Sequence, residues 1–208
     1  MNKLKYITFV LLLCLCACNT SINSNVITDT ISTQKPQTQY NVIKLPDKHM
    51  IFEYLEDAMN RDTTFPRKLV VSQSYYEKSA INRGDIIYME FSDSFIKEHF
   101  SITDQEQIQL YQRKVSRVIG LPGEVIHISK GQIYINNKKL DTFYGHQTFH
   151  NQPVASEEGL TMAKNIKVPE NHVFVMPDEW WRGSVDSSGI GPIDHSYIKG
   201  KVVGYVTE

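Results

Sequence analysis

The 208-residue chain is 41% hydrophobic and 22% charged, with a formal net charge of -1. That balance suits one globular domain with a sizeable core plus an extra segment, and it leaves no basic footprint for nucleic acid. The three cysteines, Cys14, Cys16 and Cys18, all fall in the first 18 residues, so the rest of the chain holds no disulfide, no cysteine nucleophile and no cysteine-ligated zinc.

The chain opens "MNKLKYITFVLLLCLCACNT". Lys3 and Lys5 form a positive start and Ile7 to Leu15 a short apolar run. A bilayer span takes ~20 apolar residues, so this layout predicts a secretory signal over residues 1–17. Its end, Leu15-Cys16-Ala17-Cys18, resembles a bacterial lipobox. That resemblance implies lipidation at Cys18 and anchorage at the extracytoplasmic face of a bacterial membrane. An ordinary signal peptide with incidental cysteines is the alternative. Residues 18–40 are rich in Ser, Thr, Asn and Gln and lack periodicity, and are expected to form a flexible tether.

Residues 41–208 read as one mainly β domain of antiparallel sheets with few short helices. Its strands are predicted in "KLVVS", "GDIIYMEF", "KVSRVIGL", "EVIHIS", "GQIYINNKKL", "HVFVMP" and "KVVGYV". Asn136-Asn137 and Lys130-Gly131 supply turn signals. "DSFIKEHFSITDQEQIQLYQRK" and residues 143–167 read as polar insertions between strands.

Four boxes carry a resemblance to the type I signal peptidases, which are serine–lysine peptidases. "SRVIGLPGEVI" (Ser116 to Ile126) resembles the lysine-bearing KRVIGLPGD run, and "NRGDIIYM" resembles the RGDIV strand. "HVFVMPDEWWRGSVDSSGIGPI" resembles FVMGDNRxxSxDSRxxGPI, with Pro177, Glu179, Trp180 and Ser188 as departures and one extra residue before Ser184. "AMNRDTTFPRKLVV" aligns with the nucleophile box SMxPTLxxGDxVLV, so that Met59 matches and Arg61 and Asp62 stand at the Pro and Thr positions.

The resemblance implies attack by a serine hydroxyl and proton transfer to an unprotonated lysine. In this chain the serine position is Ala58 and the lysine position is Ser116. A methyl group cannot attack and a hydroxyl is no useful base near neutral pH. The expectation is a family member without a working dyad, acting by binding exported peptides or an active signal peptidase. The alternatives are an active endopeptidase with a relocated pair, Ser74 with Lys114, or a surface lipoprotein whose fold is only a scaffold. Ser74 and Lys78, four apart, would meet only on a helical turn, and "SYYEKSAINRG" reads as a loop. Lys114 shares a strand face with Ser116, and its other reading is a solvated charge at the strand entry.

Met59, Arg117, Asp178, Ser184, Asp186 and Ser187 are expected to support the groove, with Ser184 and Asp186 equally readable as structural polar groups. Trp180 and Trp181 would cap the groove, form a contact surface or anchor packing. The seven histidines, His49, His99, His127, His146, His150, His172 and His195, show no ligand spacing, and no metal or cofactor is expected.

Overall fold

The computed structural model describes residues 25–207 except 63, 151, 156, 184 and 185; Cys18 and Ser184 lie outside the described residues. The elements in chain order are β1 (Val26–Thr28), β2 (His49–Glu53), β3 (Lys68–Ser72) and β4 (Ile86–Glu90), then α1 (Asp93–Phe100) and α2 (Gln105–Gln112). Next come β5 (Arg113–Gly120), β6 (Val125–Ser129), β7 (Gln132–Ile135), β8 (Lys138–Asp141), β9 (Thr148–Phe149), β10 (Gln152–Pro153) and β11 (Ile166–Lys167). β12 (His172–Met176), α3 (Ser187–Ile190), β13 (Ile193–Asp194) and β14 (Ile198–Tyr205) complete the series.

A seven-stranded antiparallel sheet runs β13-β12-β5-β4-β14-β3-β2, and a five-stranded sheet runs β1-β8-β7-β6-β11. The expected mainly β architecture holds. Its strands form where β-branched and aromatic residues cluster, buried on one face in the smaller sheet and on both faces in β3, β4, β5 and β12. Asn136 and Asn137 take φ of 51° and 63°, the left-handed pair that turns β7 into β8. One link between the sheets, from β5 to β6, is Leu121-Pro122-Gly123, where Gly123 sits at φ 83°. Gly120 is required by packing: a Cβ there would lie 2.7 Å from Ile126 and 2.9 Å from Phe174.

Each face of the large sheet has its own core. Tyr88, Val115, Leu69 and Met59 pack together on one face; Ile87, Met89, Val118 and Val175 pack with the helices on the other. The five-stranded sheet buries Ile126, Ile128, Ile133 and Ile135 against Phe174 and Trp180.

Three expectations are corrected. The segment "DSFIKEHFSITDQEQIQLYQ", read as a polar insertion between strands, folds as a helical hairpin between β4 and β5. Ser92 and Asp104 cap its helices by accepting from the Phe95 and Gln107 amides, and Ile96 and Ile108 are buried. The described residues of 143–167 carry three short strands, β9, β10 and β11.

The tether expected over residues 18–40 is, from residue 25 on, a strap docked on the domain. β1 pairs in parallel with β8, Pro36 is buried, and Tyr40 donates to the Tyr205 carbonyl at 2.8 Å. The strap also closes over Gly84, where an added Cβ would fall 1.8 Å from the Ser32 hydroxyl.

Candidate active-site region

The four boxes converge around the turn that follows β12. β12 pairs with β5 only as far as Met176 opposite Arg117, one residue short of Ser116. The chain then crosses through Pro177, Asp178 and Glu179. The Glu179 amide donates to the Ala58 carbonyl at 2.8 Å. The Asp178 carboxylate takes two bonds from Arg117, from Nε at 2.7 Å and from Nη2 at 2.6 Å. Residues 58, 117 and 178 are thereby held in one neighbourhood, as the alignment requires.

Neither dyad position is open. Ala58 is 3% exposed and Ser116 is 2% exposed. Ser116 lies opposite Ile87, on the face covered by α1 and α2. Met59, expected to line the groove, is 1% exposed and packs with Val115 on the other face of β5. Met59 and Ser116 therefore do not line one groove.

The relocated pair does not form. Ser72 stands opposite Lys201, Lys201 opposite Ile87 and Ile87 opposite Ser116. Ser74, just beyond β3, is thus three strands from β5, about 14 Å at ~4.8 Å per strand. It precedes a single 3-10 turn, Tyr75–Glu77, in the loop where Lys78 ends that turn. Lys114 is not a solvated charge either. It is 5% exposed, ion-paired to Glu56, and 5.0 Å over the Tyr111 ring.

The positions that depart from the family pattern are physically coupled. Arg61, at the proline position, is 2% exposed and donates to the His146 carbonyl at 2.8 Å and the Asp178 carbonyl at 3.2 Å. Its Nη2 faces His146 Nε2 at 2.9 Å, so that nitrogen must be an unprotonated acceptor. Burial pulls the Arg61 guanidinium below its ordinary range, and Asp178 and Glu179 oppose the shift.

Glu179, at the asparagine position, is 3% exposed; Thr148 donates to one carboxylate oxygen at 2.7 Å and the Trp181 indole to the other at 2.8 Å. Trp180 is a packing anchor in the core of the smaller sheet. Trp181, 41% exposed, stands 5.0 Å from Phe149. Pro177 closes on Gly183, where a Cβ would lie 2.4 Å from its ring. Two arginines and two carboxylates thus fill the region, Arg117 and Asp178 paired with each other and Arg61 and Glu179 held by neutral hydrogen-bonding partners.

The remaining expected support residues have structural partners. Arg117 also donates to the Gly84 carbonyl at 2.8 Å and to Thr33 of the strap at 3.2 Å, with its guanidinium 4.8 Å from the Phe143 ring centre. Asp186 caps α3 by accepting from the Ser188 amide at 2.8 Å, and Ser187 accepts from the Val175 amide at 2.9 Å. Burial pushes the Asp186 carboxyl above its usual range, against its bonds to Ser188. The sequence reading did not anticipate Glu56, Thr148 or His146. Each is a lone polar residue whose partner lies far along the chain, which leaves no local pattern.

Residues 48–206 match the family model for signal peptidase, peptidase S26. A signal peptidase I from Bacillus licheniformis is 27% identical over 165 residues, covering 76% of this chain and 78% of that protein. Signal peptidase I S of Bacillus subtilis is 37% identical over 91 residues, covering 41% of this chain and 47% of its own. A solved signal peptidase I from Enterococcus faecalis superposes with a TM-score of 0.38 at 27% identity, covering 59% of this chain and 97% of the solved one. The chain belongs to the signal peptidase family, peptidase S26.

Proposed function

We propose that this chain is a membrane-tethered, non-cleaving member of the family, held by lipid at Cys18 at the extracytoplasmic face. It would act by binding exported segments or an active signal peptidase. The observation that carries this reading is the state of the two dyad positions. Ala58 offers no nucleophile, Ser116 offers no amine, and both are sealed from solvent. The departures Arg61 and Glu179 support it further, because both are buried beside Asp178 and each is held by its own partners. Covalent catalysis by a dyad whose members act as a unit survives the loss of neither group.

The test is incubation of the purified full chain with a synthetic signal-peptide substrate from about pH 6 to about pH 10, a span that reaches the ordinary lysine range. No cleavage is expected. Cleavage that vanishes in Ser74→Ala or Lys114→Ala protein would overturn the reading. Photo-crosslinking in membranes, read by mass spectrometry, then separates an exported peptide from an active peptidase as the partner.

A further inference from the structure

We propose that the β7–β8 turn end of the smaller sheet is a membrane-facing surface, with Lys138, Lys139 and Lys167 set against anionic lipid headgroups. This rests on the reading of Cys18 as lipidated. The first argument is reach. Because β1 docks, the stretch between Cys18 and the first residue paired with the domain is shorter than residues 18–40. Asn25 lies seven positions beyond Cys18, and seven Cα–Cα steps span at most about 25 Å at full extension.

The second argument is where that run enters. Val26 pairs with Lys139 and Thr28 with Asp141 in parallel register, so Asn25 lies at the Lys138 end of β8. The Lys139 amide donates to the Asn25 carbonyl at 2.9 Å. Lys138 stands opposite Ile135, the Asn136 amide donates to the Val125 carbonyl, and Val125 stands opposite Lys167. One row across all five strands therefore carries the chain's entry point and lysines on both flanks.

The third argument is charge. Lys138, Lys139 and Lys167 are exposed. Of the nearby carboxylates, Glu124 is taken by Arg83 through bonds of 3.0 and 2.6 Å. Asp141, further along β8, pairs with Lys139 at 3.1 Å, both half-exposed. The end remains net positive, and lysines within a Debye length of an anionic surface (~10 Å at 0.1 M salt) are attracted to it. The opposite end of the same hairpin, at Lys130-Gly131, is about 16 Å away at ~3.3 Å per strand residue. An anchor at Cys18 and a positive row beside it select one orientation.

The chain's composition makes the test direct. A chain starting at Cys18 keeps every described residue and has that cysteine as its sole thiol. Its thiol is coupled to maleimide-lipid in vesicles of one part phosphatidylglycerol to two of phosphatidylcholine. A fluorescent unnatural residue is placed at position 138 or at exposed position 158, beside the Lys130 end. A headgroup-depth quencher is expected to quench the 138 probe several-fold more than the 158 probe. That difference should shrink in all-phosphatidylcholine vesicles and with Lys139→Gln and Lys167→Gln. Equal quenching at both positions, stronger quenching at 158, or indifference to lipid charge would overturn the orientation. The chemical anchor separates this from the tether reading, which falls instead if Cys18 of the cell-made protein carries no acyl mass.

Discussion

Arg117 and Asp178 form a two-point ion pair, with bonds of 2.7 and 2.6 Å, in which the arginine is 1% and the aspartate 0% exposed. Removing one partner from such a pair strands the other charge in the interior, at a cost of about 3–5 kcal/mol, whereas replacing both by apolar groups is often close to neutral. Arg117→Met and Asp178→Asn alone are therefore expected to lower the urea midpoint sharply. Arg117→Met combined with Asp178→Leu should recover much of the loss. A double variant no better than the singles would contradict this account.

The same guanidinium holds the strap. Its Nη2 donates to the Thr33 carbonyl at 3.2 Å and the Gln34 carbonyl at 3.4 Å. Arg117→Met should thus open residues 29–37 to limited proteolysis, while the unmodified protein resists cutting there. Cleavage in the strap of the unmodified protein at the rate of an unfolded peptide would show that its docking is not persistent.

The sheets were legible in the sequence because the strands of the smaller sheet alternate about one buried face, as in Val125–Ser129 and Gln132–Ile135, while Lys68–Ser72, Ile86–Glu90 and Arg113–Gly120 are short runs rich in β-branched and aromatic residues, buried on both faces. The strap was not, because β1 is a three-residue edge strand held by main-chain pairing with Lys139 to Asp141, and its side chains carry no apolar rhythm. The helical hairpin was missed because each helix buries a single residue, Ile96 or Ile108. The family was readable from short runs of residue identity. The buried charge network was not: Arg61 is 117 residues from its Asp178 contact, and such pairings are created by the fold.

Asp186 distinguishes a structural polar group from a remnant of site chemistry. Burial raises its carboxyl pKa, so the folded state disfavours its ionised form. Its contribution is therefore least unfavourable below the unfolded value of 3.8 and becomes a cost as pH rises through the folded value. Asparagine is an equally good helix cap without the charge. Asp186→Asn should match or exceed the parent in stability at pH 7, and Asp186→Ala should lose about 1 kcal/mol. A marked loss in the asparagine variant, read by urea unfolding, would mean that the charge itself is needed.

His146 should give the protein an acid limb. Burial first, and then Arg61, lowers its pKa below 6.5. A depressed histidine contributes stability that is fully present above its unfolded pKa and is lost as pH falls through the folded one. Unfolding midpoints should therefore decline below about pH 6.5, the free histidine value. His195 is lowered in the same direction, again chiefly by burial, so it adds to the limb. His146→Gln keeps an acceptor for Arg61 and removes the titration; its decline should be shallower than the parent's. An unchanged slope would assign the limb to His195 and other groups.

Restoring the dyad by Ala58→Ser with Ser116→Lys is expected to yield no signal-peptide cleavage. A lysine at 116 would enter the face covered by α1 and α2, whereas Met59, next to position 58, is packed on the other face of β5. Arg61 and Glu179 would still occupy the surrounding region with their own partners. Burial favours the neutral amine, so the new lysine would bind fewer protons folded than unfolded. The double variant should consequently be less stable than the parent at pH 7 and regain stability as pH rises toward about 10, the free lysine range. Both readouts are simple: product mass after overnight incubation, and the urea midpoint at two pH values. Product from the double variant, with none from either single variant, would mean that side chains at positions 58 and 116 can still meet, and would overturn this expectation.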